Sequence, residues 1–195
     1  MIKLGVTGGI GSGKSYVCNI LSSVFQIPIY NCDIRARIIT LCEPDVIKAL
    51  SALVPGLYNE DGELDKSLLS QYLFASEEHA REVNAIVHPA VRRDLHEWYS
   101  RCSAPIVAVE SAILYESHFD TEVDKVLFVD APLNLRVQRV LSRDGLSEQE
   151  VLSRIAMQHA DEALSRADFV VSNDEVSPLI PQLQDIFSQI TINES

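Results

Sequence analysis

The chain is short of several things, and each shortage excludes a class of protein. Its four cysteines, Cys18, Cys32, Cys42 and Cys102, form no C-x-x-C pair and no metal-ligand spacing with the five histidines. That excludes a disulfide framework or a zinc module and leaves reduced, mostly buried thiols as the expectation. No apolar run approaches the roughly 20 residues that span a bilayer, and a basic-then-apolar signal layout is missing near Met1. Positive charge is scarce: 16 Lys and Arg stand against 28 Asp and Glu, a formal net charge of −12. Broad binding to nucleic acid or to an anionic membrane is therefore not expected. Internal repeats and low-complexity tracts are absent as well. These absences lead us to expect a cytoplasmic protein without nucleic-acid or membrane partners; a monomer is expected as well, although nothing in the composition argues for it.

What is present is a soluble-enzyme composition, 47% hydrophobic and 23% charged over 195 residues, enough for one core with a sizeable insertion. Within it lies the octet Gly8-Gly9-Ile10-Gly11-Ser12-Gly13-Lys14-Ser15, a complete G-x-x-x-x-G-K-S phosphate loop. Ile2 to Thr7 reads as a buried strand before it, and a helix beginning about Tyr16 follows, with Val17, Ile20, Leu21 and Val24 on one side. A strand feeding a glycine-rich turn that opens a helix is the context this pattern requires. Successive backbone N–H groups of Gly9, Gly11, Ser12 and Gly13 can curl around an anion, and the helix start adds partial positive charge. Lys14 suits the β/γ-phosphates, Ser15 suits Mg²⁺, and Tyr16 borders the nucleotide.

Apolar runs at 2–7, 27–30, 105–110, 126–130 and 168–172 read as buried parallel strands with helices between them. The expected fold is α/β: a three-layer P-loop core around a five-stranded parallel sheet. Two strands end in carboxylates, Glu110 and Asp130, where open α/β sheets gather their ligands. Between the second and third strands the pattern is helical, at about 44–54, 65–74 and 76–87, with a polar turn at Asn59-Glu60-Asp61-Gly62. His88-Pro89 is expected to break it and to start another helix through about Ser100. The domain boundaries expected are a core of 1–37 and 101–195 and a helical acceptor insertion of 38–100. Phe74 and Trp98 are expected in the insertion's core. Segment 133–164 reads as two lid helices, the second opened by a Ser147-x-x-Glu150 capping box. Ser177-Pro178 starts a last helix to about Ile190, and the final few residues are expected to fray.

A phosphate loop alone leaves many chemistries open. No N-K-x-D segment reads guanine and no D-x-x-G follows the third strand, which argues against a GTPase switch. A small-molecule kinase needs an acid at the acceptor hydroxyl, cations around the phosphoryl group and a closing lid. Asp33, just past the second strand, is the candidate acid and should face the crevice of the phosphate loop; capping a helix is its other possible role. Arg136, Arg139 and Arg143 fall at i, i+3 and i+7 on one helix face, and Arg154 and Gln158 at i, i+4 on the next. Planar guanidinium groups suit phosphate oxygens. His79, His96, His118 and His159 have no partners visible at this level.

With these residues in place, the chain resembles the dephospho-coenzyme A kinase family essentially from end to end. The resemblance rests on the phosphate loop, the D-x-x-x-R of Asp33 and Arg37, and His88-Pro89-x-Val91-Arg92. Arg139-x-x-x-Arg143-Asp144, Arg154-x-x-x-Gln158 and the run Ala167 to Asn173 extend it. It implies ATP-dependent phosphorylation of the ribose 3′-hydroxyl of dephospho-coenzyme A, with Mg²⁺, giving coenzyme A and ADP. It further implies Asp33 as base, Arg139 in the lid with Arg143 beside it on the phosphates, and Asn173 near the adenine of ATP. Arg37, His88 and Arg92 would fix the acceptor. One departure stands out. The family's usual Asp-x-Pro-Leu-Leu-Phe-Glu is here Glu110-Ser111-Ala112-Ile113-Leu114-Tyr115-Glu116, so Glu110 keeps a carboxylate beside Mg²⁺ water or acceptor hydroxyl, one methylene longer. A kinase for another small acceptor, a nucleoside monophosphate or a sugar acid, is the alternative. A nucleotide-dependent switch without turnover is a third reading, and the missing guanine motif speaks against it.

Overall fold

A computed structural model describes residues 1–158 and 160–192, so His159 and the final residues expected to fray lie outside it. The chain divides into two compact units, one of Met1–Tyr30 with Ser103–Ser195 and one of Asn31–Cys102. The sequence reading carried the core through residue 37, whereas here Asp33 and Arg37 belong to the second unit.

The first unit is built on β1 (Ile2–Thr7), β2 (Ile29–Asn31), β3 (Ile106–Glu110), β4 (Lys125–Asp130) and β5 (Phe169–Ser172), in the order β2-β3-β1-β4-β5. β1 lies between β3 and β4, parallel to both, and β4 pairs parallel with β5. Its strands are apolar on both faces, as a sheet covered on both sides requires. Leu4, Val6, Leu127 and Val129 pack against α1 (Lys14–Ser23) and α9 (Leu179–Ile192) through Val17, Leu21, Leu183 and Ile186. On the other face Gly5 leaves room for the fully buried Leu114, which a Cβ there would press at 2.9 Å. Val24, expected on the inner side of α1, is 51% exposed at the helix C-cap, where its N–H still donates to Ile20 O.

Between β4 and β5 run α6 (Leu133–Asp144), α7 (Glu148–Ala156) and α8 (Ala160–Arg166), three helices where the sequence reading had two. The capping box forms as expected: the Ser147 side chain accepts from Glu150 N, and the Glu150 carboxylate accepts from Ser147 N at 2.8 Å. α7 stops at Ala156, and Gln158 turns its side chain away to the phosphate loop. Val137, Val140 and Val151 form a small separate core into which Ile10 of that loop packs.

The second unit consists of α2 (Cys32–Cys42), α3 (Pro44–Leu53), α4 (Lys66–Ala75) and α5 (Glu77–Arg101). α5 is its spine; α2, α3 and α4 all pack on it. The break expected at His88-Pro89 does not occur, because α5 is one continuous helix with Pro89 inside it. Val83, Val87, Val91, Leu95 and Tyr99 form its buried stripe, whereas Pro89 and Ala85 lie on the exposed side. The Ala85 carbonyl that proline leaves without a helical donor therefore meets water, and packing of the stripe carries the helix through. His88 is consequently interior to a helix and caps nothing. Phe74, expected in the core, is 85% exposed, since α4 leans on α5 without fully burying any residue. Trp98 is half-buried. The polar turn closes as read: Asn59 N donates to Glu63 O, Gly62 N donates to Asn59 O, and Tyr58 pairs with Leu64.

Candidate active site

The phosphate loop owes its shape to backbone that only glycine takes easily. Gly13 caps α1 at φ 91° in the left-handed region, with no side chain capping the helix and no acid in its first turn. The first amides of α1 thus keep their hydrogens for an anion, with no carboxylate to repel it. A Cβ on Gly9 would run into the Arg136 guanidinium, and one on Gly13 into the Asn173 amide. At Gly13 the requirement is conformational as well as steric, whereas at Gly9 it is steric alone. The Lys14 Nζ arches over the loop and donates to Gly8 O at 2.8 Å and Gly9 O at 3.3 Å.

Below the loop, the Ser15 hydroxyl donates to Glu110 Oε1 at 2.7 Å, and Glu110 is only 5% exposed. Cys18, one turn after Ser15, is buried beside that carboxylate. Desolvation first, and Glu110 second, push its thiol far above the ordinary range, so it is a neutral donor and no nucleophile. Cys32 is also buried, but Cys42 is exposed and Cys102 half-buried, so the expectation of mostly buried thiols holds for two of four.

α6 presents its arginines to the loop. Arg136 Nε donates to Ile10 O at 2.9 Å, and burial draws its pKa down, opposed by Asp130 and Asp161. Arg139 donates through Nη1 to Gly11 O and Ser12 O at 3.3 Å each, and through Nη2 to Asn173 O at 3.0 Å and Glu175 Oε1 at 2.9 Å. Asn173, just past β5, donates to Ser12 O at 2.8 Å. From the end of α7, Gln158 Oε1 accepts from Ile10 N at 2.6 Å. Arg143 departs from expectation. It sits at the far end of α6, half-turned back in a two-bond pair with Asp144 (2.6 and 2.8 Å), and is not brought to the loop. Arg154 is exposed.

Beside the loop opens a cavity of about 720 Å³ lined by Gly13, Tyr16, Arg139, Asn173, Val176 and Pro178 among others. Tyr16 is 59% exposed in it. A guanidinium, a phenol and an apolar wall flanking a phosphate cradle suit a nucleotide, whose base is flat and whose phosphates are charged. Asp174 fixes that wall by accepting from Ser177 N at 2.7 Å and Val176 N at 2.9 Å.

In the helical unit, Asn31 rather than Asp33 caps α2, accepting from Ile34 N at 2.8 Å. Asp33 therefore stands exposed in the first turn, with Arg37 one turn further along the same face. His88 and Arg92 share a face of α5, both half-buried. His79, without a visible partner in the sequence, stacks on Tyr72 with ring centroids 4.1 Å apart. Arg136 and Gln158, which spacing placed with Arg139 and with Arg154, both reach the phosphate loop at Ile10. Glu175, on Arg139, is the site residue that nothing in the sequence marked.

Among the described residues no group of three or more His, Cys, Asp or Glu is placed to hold a metal ion. The Ser15 hydroxyl and Glu110 carboxylate are nonetheless the hard oxygen donors that Mg²⁺ takes alongside phosphate and water, so the residues fit that ion.

A parallel sheet in this order, a glycine-capped phosphate loop and arginines lying on it define a kinase of the P-loop class. A solved structure of a shikimate kinase from Bacteroides thetaiotaomicron shares the fold, at TM-score 0.57 and 14% identity over 97% of this chain and 98% of that one. The family model described as Dephospho-CoA kinase matches residues 2–178, and the chain belongs to that family. A dephospho-CoA kinase of Bacteroides fragilis (strain YCH46) is 43% identical over 189 residues, covering 96% of this chain and 92% of the relative. A solved structure from Thermus thermophilus superposes at TM-score 0.83 with 34% identity, covering all of this chain and 98% of that one.

Proposed function

We propose that this kinase transfers the γ-phosphoryl group of ATP to the ribose 3′-hydroxyl of dephospho-CoA, giving CoA and ADP. The observation that carries the reading is the phosphate loop gripped from above by α6, with Arg136 and Arg139 on its carbonyls and Lys14 arched across it. Those three cations surround the place where negative charge spreads in a loose phosphoryl transition state, and positioning with charge neutralisation is most of the catalysis in such sites. When bound, Mg²⁺ would be held by Ser15 with Glu110 beside it, and would supply further charge neutralisation on the phosphates. The amides of Gly9, Gly11, Ser12 and Gly13 bind the phosphates, and Tyr16, Arg139 and Asn173 flank the adenosine. Asp33 accepts the proton of the attacking hydroxyl, which frees the oxygen's lone pair for phosphorus as the bond to ADP breaks. General-base help of this kind is worth about 10² to 10⁴ in rate.

Segment 133–164 acts as the lid in this reading, and the helical insertion of 38–100 as the acceptor domain, with Arg37, His88 and Arg92 fixing the acceptor's phosphates and ribose. Arg143 joins the phosphates only if its pair with Asp144 opens. We place the enzyme in the cytoplasm as a monomer, without nucleic-acid or membrane partners. The net charge of −12 supports the absence of nucleic-acid and anionic-membrane partners, and no described helix is long and apolar enough to cross a membrane. The test is ADP release with ATP and each of dephospho-CoA, a nucleoside monophosphate and gluconate. Turnover is expected with dephospho-CoA at a kcat/KM at least tenfold above the others, taking 1.4 kcal/mol as the least discrimination of interest; a better turnover of gluconate or the nucleotide would overturn it.

A further inference from the structure

The helical unit holds a concave feature that the phosphate chemistry leaves unused. A groove of about 280 Å³ lies between α2 and α4, lined by Leu41, Leu64, Leu69 and Leu73 together with Arg37 and Lys66. None of these leucines is fully buried, and Leu41 is 37% exposed. The volume falls just below the ~300–1,000 Å³ of whole small-molecule sites, so it suits a chain-like portion of a ligand better than a nucleotide.

Its cations are also unusual. The chain has 28 acidic residues, yet among the described residues neither Arg37 nor Lys66 has an ion-pair partner. Arg35, two residues from Arg37, is held by Asp94, Nε to Oδ2 at 2.7 Å. Uncompensated cations beside an apolar trough in an acidic protein favour a ligand that is anionic at one end and uncharged along its length. The order along α2 sharpens this. Asp33, Arg37 and Leu41 fall at i, i+4 and i+8, so a carboxylate, a guanidinium and the groove succeed one another at roughly 6 Å steps along one face.

A molecule with a hydroxyl, then a diphosphate, then a long uncharged amide-linked arm would meet those three groups in the same order. We propose that the groove is the subsite for the pantetheine arm of the acceptor, with Arg37 and Lys66 engaging its diphosphate. This inference rests on dephospho-CoA being the acceptor. The arm's methyl and methylene groups leave water against the four leucines, and that burial is what separates dephospho-CoA from a bare nucleotide.

Two measurements test it, one of them independent of turnover. Titration with 4′-phosphopantetheine, followed by the leucine methyl resonances, is expected to move Leu41, Leu64, Leu69 and Leu73 and to leave the methyls of the phosphate-loop unit in place. Ser70→Trp, at an exposed position lining the groove, is expected to abolish those shifts. It should also raise KM for dephospho-CoA by at least about tenfold, while kcat/KM for adenosine 5′-phosphate as acceptor stays where it was. Absent methyl shifts, or equal losses for both acceptors, would overturn the subsite. A wild-type enzyme that binds 4′-phosphopantetheine in the groove but does not turn over dephospho-CoA would overturn the functional reading alone.

Discussion

Glu110 ends a central strand almost wholly out of water and still has to remain useful as a charge. The Ser15 hydroxyl donates to it at 2.7 Å, and the neutral Cys18 thiol lies beside it, so neither neighbour brings a competing charge to the site. Glu110→Gln keeps the shape and removes the charge. If the pair supports Mg²⁺, the metal concentration giving half-maximal turnover should rise about 10- to 100-fold; an unchanged value would remove Glu110 from the metal's surroundings. Asp174 gives a second residue-scale prediction. The backbone N–H groups of Ser177 and Val176 hold its pKa at about 2, below the ordinary 3.8. A depressed acid contributes stability that is complete above its unfolded value and disappears as pH falls through the folded one. Acid unfolding curves should therefore lose stability faster between pH 4 and 2 in the wild type than in Asp174→Asn. Parallel curves would contradict the assignment.

At the scale of elements, α5 is where sequence and structure diverge most. Reading Pro89 as a helix breaker is right locally, since it removes one donor and crowds the preceding turn. It fails here because six buried side chains on the opposite stripe hold both halves of α5 in register, and stripes are set by the tertiary partners α2, α3 and α4. Pro89→Ala should restore the missing bond to Ala85 and raise unfolding free energy by roughly 1–3 kcal/mol, measured as a higher denaturant midpoint. A lower midpoint would mean that the proline itself is packed to advantage. The strands and the α7 capping box were legible because their signals are local: short β-branched runs, and Ser147 three residues ahead of Glu150. The number of lid helices was not, because α7 ends at Ala156 and α8 begins at Ala160 with no glycine or proline between them to mark the break. Phe74 was misjudged for a related reason. An aromatic in a helical pattern says that some face is apolar but not whether a neighbour covers it.

For the whole molecule, the acidic balance concentrates function in a few cations, and this made the site partly readable before any fold was known. The phosphate loop, Asn173 and Glu110 come together in the first unit at strand ends, where α/β folds place ligands, and Arg139 joins them from the middle of α6. The pairing of Arg143 with Asp144 and the part played by Glu175 were invisible, since both depend on rotamers and turns that no spacing encodes. The central claim is that Asp33 receives the hydroxyl proton while the loop holds the donor. It is tested most directly by steady-state kinetics of Asp33→Asn with ATP and dephospho-CoA. A fall in kcat of about 10² to 10⁴ with KM for ATP nearly unchanged is the result expected; turnover within a few-fold of wild type would contradict it.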